Sequence, residues 1–581
     1  MSSGSTALHT ALVRFGEDRS WKRFESPVET ITVTELADVV PALRRAEEAS
    51  AAGQWVVGLL SYDAGPAFDP AVDSQRDPAV PLLAFGIFDS PTSTDGPIDG
   101  PFEISEWTPD QDEVTYSANI TKIRELIRAG ETYQVNYTVR RHATFWGSAE
   151  GLFASLARAQ MADYDGFLHL GTHALCSPSP ELFFTRDGDT YTSKPMKGTR
   201  PRHHNADTDR EIAEALRSSP KDRAENVMIV DMVRNDLGRI ATPGTVHVPH
   251  LLTVEHYPTV HTMTSTVVAE ANASLVESLK ALYPVASITG APKYRTTEII
   301  AELEATPRGA YCGSIFTLSP TGRWEFNVVI RSVWLDLEAG TGTYGVGGGI
   351  VWDSEPHDEW RETEHKSRVL ARAGRPLQLL ETMAWTPDGG VSLRQRHINR
   401  LLRAGDHFGI AVDMDAVMHL LNSVRSDTPV MLRLLVDAAG VPTLQVRALP
   451  RSSDEIQTLP IDSVPVDSYD EFLVHKTTTR TRYDDARDRF PDDSDVILWN
   501  QRGELTETTI SNLVLDLDGN LVTPDHRSGL LAGTLREELL DRGQVTERVL
   551  TLDDLSRADR VFTINSVRGW DEVEVASTKP G

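Results

Sequence analysis

Four carboxylates carry the first chemical signal. Asp222 and Glu225 stand three apart in Lys221 to Gly238, a stretch that reads as a helix opened behind Pro220 and closed near a glycine. Glu359 and Glu362 repeat that spacing after the helix entry Asp353-Ser354-Glu355-Pro356. Three residues is just under one helical turn, so each pair shares a face. Such a face has two uses. It can be plain solvated surface, with Glu362 paired to Lys366 one turn further on, which is the common fate of charges at this spacing. It can also hold a hard cation, because Mg²⁺ takes one or two carboxylates and leaves room for waters and an anionic substrate. Spacing alone leaves both open. Thiol chemistry has little to work with: the only cysteines are Cys176 and Cys312, too few for a disulfide framework or a thiolate zinc site.

The elements that must position these groups are legible in outline. A chain of 581 residues, 40% apolar and 24% charged, has the makeup of several globular domains. Its formal charge of −28 argues against a general nucleic-acid or anionic-membrane binder, since both need a positive surface. Met1 to Thr10 holds no basic stretch leading into an apolar run. No segment approaches the roughly 20 apolar residues of a membrane span, so the expected location is the cytoplasm. Trp55–Leu60 and Pro81–Phe85 read as buried strands, and Ile120, Ile123 and Ile127 as one helix face stopped at Gly130. Tyr133 to Arg140 alternates with period two, as a half-buried strand does, while Asp89 to Asp112 has the Pro, Gly, Ser and Asp content of a loop. The pattern breaks at Ala373-Gly374-Arg375-Pro376 and restarts at Leu379. The expected division is a domain over 1–372 and another over 377–581, both of mixed α/β (α+β) class.

Within the first domain, Ser179-Pro180-Glu181, Pro195-Met196-Lys197-Gly198-Thr199-Arg200-Pro201-Arg202, the Glu225–Arg239 helix, Ile288-Thr289-Gly290-Ala291-Pro292-Lys293 and the Gly345–Glu362 stretch occur in that order. This succession closely resembles the chorismate-utilising enzymes, which include anthranilate, aminodeoxychorismate, isochorismate and salicylate synthases. The resemblance covers roughly residues 30–370 and implies a sandwich of two antiparallel sheets flanked by helices. It implies that Glu225 and Glu362 bind Mg²⁺, with Asp222 and Glu359 behind them, and that the ion holds the ring carboxylate of chorismate. Arg331 matches the arginine for the enolpyruvyl carboxylate, helped by Tyr311 and the backbone near Gly347; Ser287 and Thr289 match further substrate contacts. A dicarboxylate held by a cation at one end and a guanidinium fork at the other is chemically sensible. The glycine run 345–349 would by itself signify only close backbone approach or a bulge.

Three positions choose among the family's branches. Gln134 stands where water-using members have a lysine, which points to ammonia as nucleophile. Glu181 matches the acid that protonates the departing C4 hydroxyl, and neighbouring phenylalanines would raise its pKa. Lys197 matches the aminodeoxychorismate synthases, whose lysine attacks C2 before ammonia adds at C4; anthranilate synthases carry a small residue there. Neither cysteine lies in a nucleophile elbow with a histidine, so a separate glutamine amidotransferase subunit is expected to supply ammonia.

The second domain carries Leu380-Glu381-Thr382-Met383, Arg396-His397-Ile398-Asn399-Arg400-Leu401, His475-Lys476-Thr477-Thr478, Glu504 to Asn512 and Leu531-Ala532-Gly533-Thr534-Leu535-Arg536. It resembles the fold-type IV pyridoxal phosphate enzymes, among them aminodeoxychorismate lyase and the branched-chain and D-amino-acid aminotransferases. The resemblance implies that Lys476 joins the cofactor aldehyde, Glu507 faces the ring nitrogen, Arg400 binds the phosphate, and Gly533 and Thr534 open a helix onto it. One departure is plain: the Asp-Arg-Gly-rich segment that usually precedes the Glu-Thr pair is missing here, which bears on the pocket edge and on pairing of two copies as a homodimer. The joint expectation is a two-headed enzyme that aminates chorismate and then eliminates pyruvate to give 4-aminobenzoate, the folate precursor. An anthranilate-type synthase joined to an aminotransferase, or a synthase with a non-catalytic docking domain, are the alternatives.

Overall fold

The computed structural model describes residues 6–15, 20–202, 206–257, 260–373, 377–408, 410–450, 456–491 and 495–576. The chain forms two compact units that meet in sequence at Gly374 and Arg375. Gly374 to Pro376, part of the break read in the sequence, lie outside the described residues. Among the described residues no helix is long and apolar enough to cross a membrane.

Two large antiparallel sheets build the first unit. One has eleven strands, with Gly290–Ala291, Gln134–Gly147, Thr341–Ile350, Val333–Asp336, His173–Ser179 and Tyr164–Leu170 side by side in that order. The other has ten and runs Met196–Pro201, Val260–Glu270, Thr190–Lys194, Leu182–Asp187, Trp324–Asn327, Ser314–Leu318 and Trp55–Leu60 before its last strands. Val13, Leu168 and Leu175 from the first sheet meet Val57, Leu59 and Ile315 from the second in one apolar layer. Helices Glu113–Arg128, Ala149–Gln160 and Pro356–Ala373 cover the outer face of the first sheet. Leu36–Ala51, Pro220–Gly238 and Leu275–Leu282 cover that of the second. The result is the helix-flanked sandwich that the resemblance implied.

The structure differs from the sequence reading in three places. The strand expected over 81–85 runs Leu83–Phe88. The expected loop of 89–112 contains short strands Thr92–Thr94, Phe102–Ile104 and Thr108–Pro109, held to distant partners such as Trp21 and Gly147. Pairing across such separations leaves no local pattern to read. The strand Gln134–Gly147 does alternate, yet it is not half-exposed: residues 134–140 are buried on both sides. Val135, Tyr137 and Val139 pack into the helix-covered core, while Gln134, Asn136, Thr138 and Arg140 turn toward a second, polar interior.

That polar interior is organised by Glu304. Arg140 donates to its Oε2 at 2.8 Å and Arg308 to both carboxylate oxygens at 3.0 and 2.7 Å, with all three side chains almost fully enclosed. Glu304 also accepts from the Thr138 backbone and hydroxyl, and Arg308 reaches the carbonyls of Ile288 and Asn136 at 2.7 Å each. Burial opposes ionisation of Glu304, but the two guanidiniums outweigh it and hold the carboxyl below its ordinary range. Its stabilising charge is therefore fully present above the usual carboxylate range and is lost as pH falls through the depressed folded value.

Glu304→Gln should leave two buried guanidiniums without a counter-charge and cost about 3–5 kcal/mol, read as a lower denaturation midpoint. The wild-type chain should lose stability as pH falls below the ordinary carboxylate range toward the depressed value of this group, and the variant should show a shallower acid slope.

Candidate active sites in the two units

In the first unit the site grows from the sheet edge where Gln134–Gly147 pairs with Thr341–Ile350. The register Gly349↔Asn136 and Ile350↔Val135 sets the glycine run beside Gln134. A Cβ on Gly349 would lie 2.5 Å from Gln134 Nε2 and 3.1 Å from Lys197 Nζ, so both groups occupy space that only a glycine leaves. Lys197, on Met196–Pro201, makes no hydrogen bond or ion pair among the described residues. Burial presses its pKa below the ordinary lysine value, against the attraction of Glu225. The Gln134 amide is fully buried, and neither its oxygen nor its nitrogen has a partner. An orphaned buried amide costs about 1–3 kcal/mol, which a ligand can recover.

Glu181 lies at the turn between His173–Ser179 and Leu182–Asp187 and is 4% exposed. Ser287 donates to its Oε1 at 2.6 Å. Burial raises its pKa to about 7, only partly countered by Ser287 and Lys197, so a proton is available there near neutral pH. Glu225, half-buried on the Pro220–Gly238 helix, is likewise pushed to about 7, chiefly by burial, with Lys197 opposing. Asp222, on the same helix face, accepts from Arg200 at 2.6 Å.

Glu362 pairs with Lys366 at 2.6 Å, as its i,i+4 spacing suggested, although 48% of its side chain remains open to solvent. Lys366, bonded to it, holds its pKa below the ordinary value. Glu359 accepts from Ser354 at 2.7 Å, with Lys221 3.7 Å away. Both glutamates border Gly348. Glu225 feels both of these glutamates electrostatically, so the acids of the two helices lie near one another, with Glu362 partly open to solvent. Among the described residues no three acidic, histidine or cysteine side chains form a ready cage for a metal ion. What the structure offers is Glu225 and Glu362 as two carboxylates with an open side. That donor set fits Mg²⁺, which keeps several waters and shares its remaining positions with substrate.

Lys366 is the residue that sequence reasoning undervalued. Besides Glu362, its ammonium donates to the Gly347 carbonyl at 2.8 Å, and its own carbonyl accepts from Arg331 at 3.0 Å and Tyr344 at 2.9 Å. Its i,i+4 spacing from Glu362 was the available signal, read only as a surface pair. Arg331 sits at φ +58°, a left-handed conformation costing about 1–3 kcal/mol in a side-chain-bearing residue. Tyr311 fills the space beside Gly345, with the Arg140 guanidinium 5.2 Å from its ring. Thr289 stands at the same edge, where its carbonyl accepts from Asn136, but its hydroxyl is spent on the carbonyls of Val285 and Ala286.

The second unit has a four-stranded antiparallel sheet, a six-stranded mixed sheet and a two-stranded sheet, Ile497–Trp499 with Leu505–Thr508, that bears Glu507. Strand Leu379–Thr386 presents Glu381, and helix Arg394–Phe408 presents Arg400. Their side chains form a buried two-point pair at 2.8 and 2.7 Å, with His397 on the same carboxylate at 2.6 Å. Arg400 also reaches the Ala532 carbonyl at 3.3 Å, directly before Gly533 and the helix Thr534–Asp541. A Cβ on Gly533 would collide with Asn512 Oδ1, so the helix entry admits no side chain there. Thr534 Oγ1 lies 3.2 Å from His397 Nε2.

Lys476 sits in the loop whose backbone is pinned to that first strand by Leu380 N at 3.0 Å. Its amine has no hydrogen bond or ion pair among the described residues. Burial, reinforced by Arg400 and Arg480, lowers its pKa to about 7. Glu507 accepts from Tyr483 at 2.7 Å, the Leu531 amide at 3.1 Å and Asn512 at 3.2 Å, and burial lifts its pKa to about 7. Arg400 and Glu507 are both close enough to act on the Lys476 charge, and the Arg400 bond to the Ala532 carbonyl sets that group beside Gly533 and Thr534. An unpartnered amine, an acid on a fixed hydrogen-bond frame and an arginine beside an open helix start are the donor set that pyridoxal phosphate requires. Tyr483 and Glu381 were not given roles from the sequence; nothing in their spacing marks them.

Comparison with known proteins agrees with both units. The family model described as chorismate binding enzyme matches residues 11–372, and the amino-transferase class IV model matches 378–574. Aminodeoxychorismate synthase component 1 of Salmonella typhimurium is 38% identical over 349 residues, which is 54% of this chain and 75% of that protein. Anthranilate synthase component 1 of Aeropyrum pernix is 38% identical over 260 residues, 44% of this chain and 59% of that one. Among solved structures, the menaquinone-specific isochorismate synthase MenF of Escherichia coli aligns with a TM-score of 0.52 at 20% identity, covering 64% of this chain and 90% of its own. Anthranilate synthase component I of Streptococcus pneumoniae gives 0.50 at 21%, covering 64% and 91%. These two share the fold. The chain belongs to the chorismate binding enzymes and carries an amino-transferase class IV domain behind that first unit.

Proposed function

We propose that the chain aminates chorismate to 4-amino-4-deoxychorismate in the first unit and eliminates pyruvate from it in the second, giving 4-aminobenzoate. One observation carries the reading: the unpartnered Lys197 amine, its pKa lowered by burial, stands against Gly349 beside the Gln134 amide. Burial that disfavours the charged form of a lysine favours its action as a nucleophile. Lys197 Nζ bonds to C2 of chorismate as the C4–oxygen bond breaks and Glu181 gives its proton, releasing water. Ammonia then bonds to C4, the ring double bond shifts back, and the C2–N bond breaks with its electron pair returning to Lys197. A water-activating lysine in place of Gln134 would favour hydroxylation instead. Glu225 and Glu362 would hold Mg²⁺, which supplies positive charge for the ring carboxylate when bound. Arg331, braced on the Lys366 carbonyl, takes the enolpyruvyl carboxylate.

In the second unit Arg400 and the Gly533–Thr534 helix start would hold the phosphate of pyridoxal phosphate, Glu507 its ring nitrogen and Lys476 its aldehyde carbon. When bound, that cofactor supplies an electron sink for the elimination. Lys476 moves the proton between substrate and product, a task suited to an amine titrating near 7. Retention of Lys476, Glu507 and Arg400 together speaks against a docking-only role for this domain. Ammonia comes from a separate glutamine amidotransferase, since Cys176 and Cys312 are both buried with thiol pKa values raised by that burial.

Lys197→Ala should lower aminodeoxychorismate formation by at least about 100-fold while the fold, read by circular dichroism, is kept. First-stage turnover should fall as pH rises through about 7, where Glu181 loses its proton, and Glu181→Gln should remove that limb along with most of the rate. A covalent adduct trapped on another residue would sink the assignment.

Chelation should stop chorismate consumption, and Glu362→Gln should weaken Mg²⁺ activation by about tenfold or more. Titrating activity against Mg²⁺ measures this; full activity in excess chelator would refute the metal site.

Lys476→Ala should still consume chorismate and ammonium, release no pyruvate and accumulate aminodeoxychorismate, measured by chromatography. Unchanged 4-aminobenzoate from that variant, with no other lyase present, would overturn the two-stage reading.

A further inference from the structure

Behind Glu181 lies a cavity about large enough for one water-sized molecule. Glu181 and Ser287, both assigned above to the chorismate site, are among its lining residues. Its lining also includes Phe183 from strand Leu182–Asp187, Val233 and Asp236 from the helix Pro220–Gly238, and Leu282 and Val285 from the stretch before Ser287; Lys197, Gln134 and the glycine run are not part of it. Its polar groups have one character. Glu181 and Asp236 are both carboxyls, and the Ser193 and Ser287 hydroxyls are already spent on the Phe183 carbonyl and on Glu181. A space this small between apolar walls excludes a dicarboxylate by size and leaves room only for a small guest beside Glu181.

The far wall shows which guest that chemistry suits. Asp236 and the Leu282 carbonyl together accept from the Lys293 ammonium at 2.9 and 3.1 Å. An ammonium ion is that head group without its chain. We propose that this cavity receives the ammonium used in the amination and presents it to Glu181. The inference rests on the amination reading of the first unit. The step balances. Once Glu181 has protonated the departing hydroxyl it is a carboxylate, and it takes one proton from ammonium. The neutral ammonia bonds to C4 and expels Lys197 as an amine, leaving the new nitrogen as an ammonium group. The cavity therefore joins the nucleophile to the one group that must be recharged with a proton.

The test uses steady-state kinetics of the full chain with Mg²⁺, chorismate and ammonium chloride. Val233→Phe, which fills the cavity, should raise KM for ammonium by about tenfold or more and leave KM for chorismate within about twofold, as expected for steric loss at one subsite only. Equal KM values for ammonium in a folded Val233→Phe and wild type would overturn the proposal, as would a rise confined to chorismate. Should that variant fail to fold, Val233→Ala decides. The enlarged cavity should accept methylammonium, raising its use relative to ammonium by about fivefold or more and giving a product one methylene heavier. An unchanged ratio would overturn it. Absence of any aminated product from the wild-type chain would remove the amination reading and this inference together, whereas normal amination with unmoved ammonium kinetics removes the cavity's role alone.

Discussion

Glu304 and the two arginines clamped to it are the constraint on which the synthase site depends. The triad is buried, so each charge survives only because the others compensate it. Its hydrogen bonds run to Thr138 and Asn136 on one strand and to Ile288 in the turn that also bears Ser287 and Thr289. Through Ser287 the same frame reaches Glu181, and through Arg140 it supports Tyr311. A few ion pairs thus set the spacing between the amide of Gln134, the acid and the aromatic wall. Replacing them by apolar residues would keep a core but release the polar face of the strand, and the site would lose its alignment before the sandwich lost its stability.

Within that frame, burial sets the protonation states. Glu181 and Glu225 are held near 7 mainly because they are removed from water, and Lys197 is lowered for the same reason. Glu362 goes the other way because Lys366 is bonded to it. Surroundings rather than residue type therefore decide which way the pKa of each group moves. The pyridoxal pocket applies the same physics with a different emphasis. There Arg400 is anchored by Glu381 at both ends of its fork, while Lys476 is left without an anion and stays lowered to about 7.

The covalent logic of the proposed route follows from these two lysines. Each is a buried amine without a hydrogen-bond partner among the described residues, and each lies where glycines or a helix start leave room for a ligand. A surface lysine would remain charged and solvated, and neither addition to a ring carbon nor proton transfer at a carbon acid would be open to it near neutral pH.

Much of this was legible without coordinates. The order of motifs around Glu181, Lys197, Glu225, Thr289 and Glu362 pointed to the family, and the alternation in Tyr133 to Arg140 announced a strand, because residue type and short spacing are local properties. The i,i+4 relation of Glu362 and Lys366 was likewise visible. Several features were decided only by the tertiary structure. The polar face of that strand is buried because Glu304 and Arg308 arrive from more than 160 residues away in sequence. Lys366 serves as a hub because strand Thr341–Ile350 and Arg331 fold back onto its helix. Short strands within 89–112 form on distant edges, and Tyr483 finds Glu507 across 24 positions. Burial and long-range pairing depend on which surfaces the chain brings together, and no window of sequence contains that information.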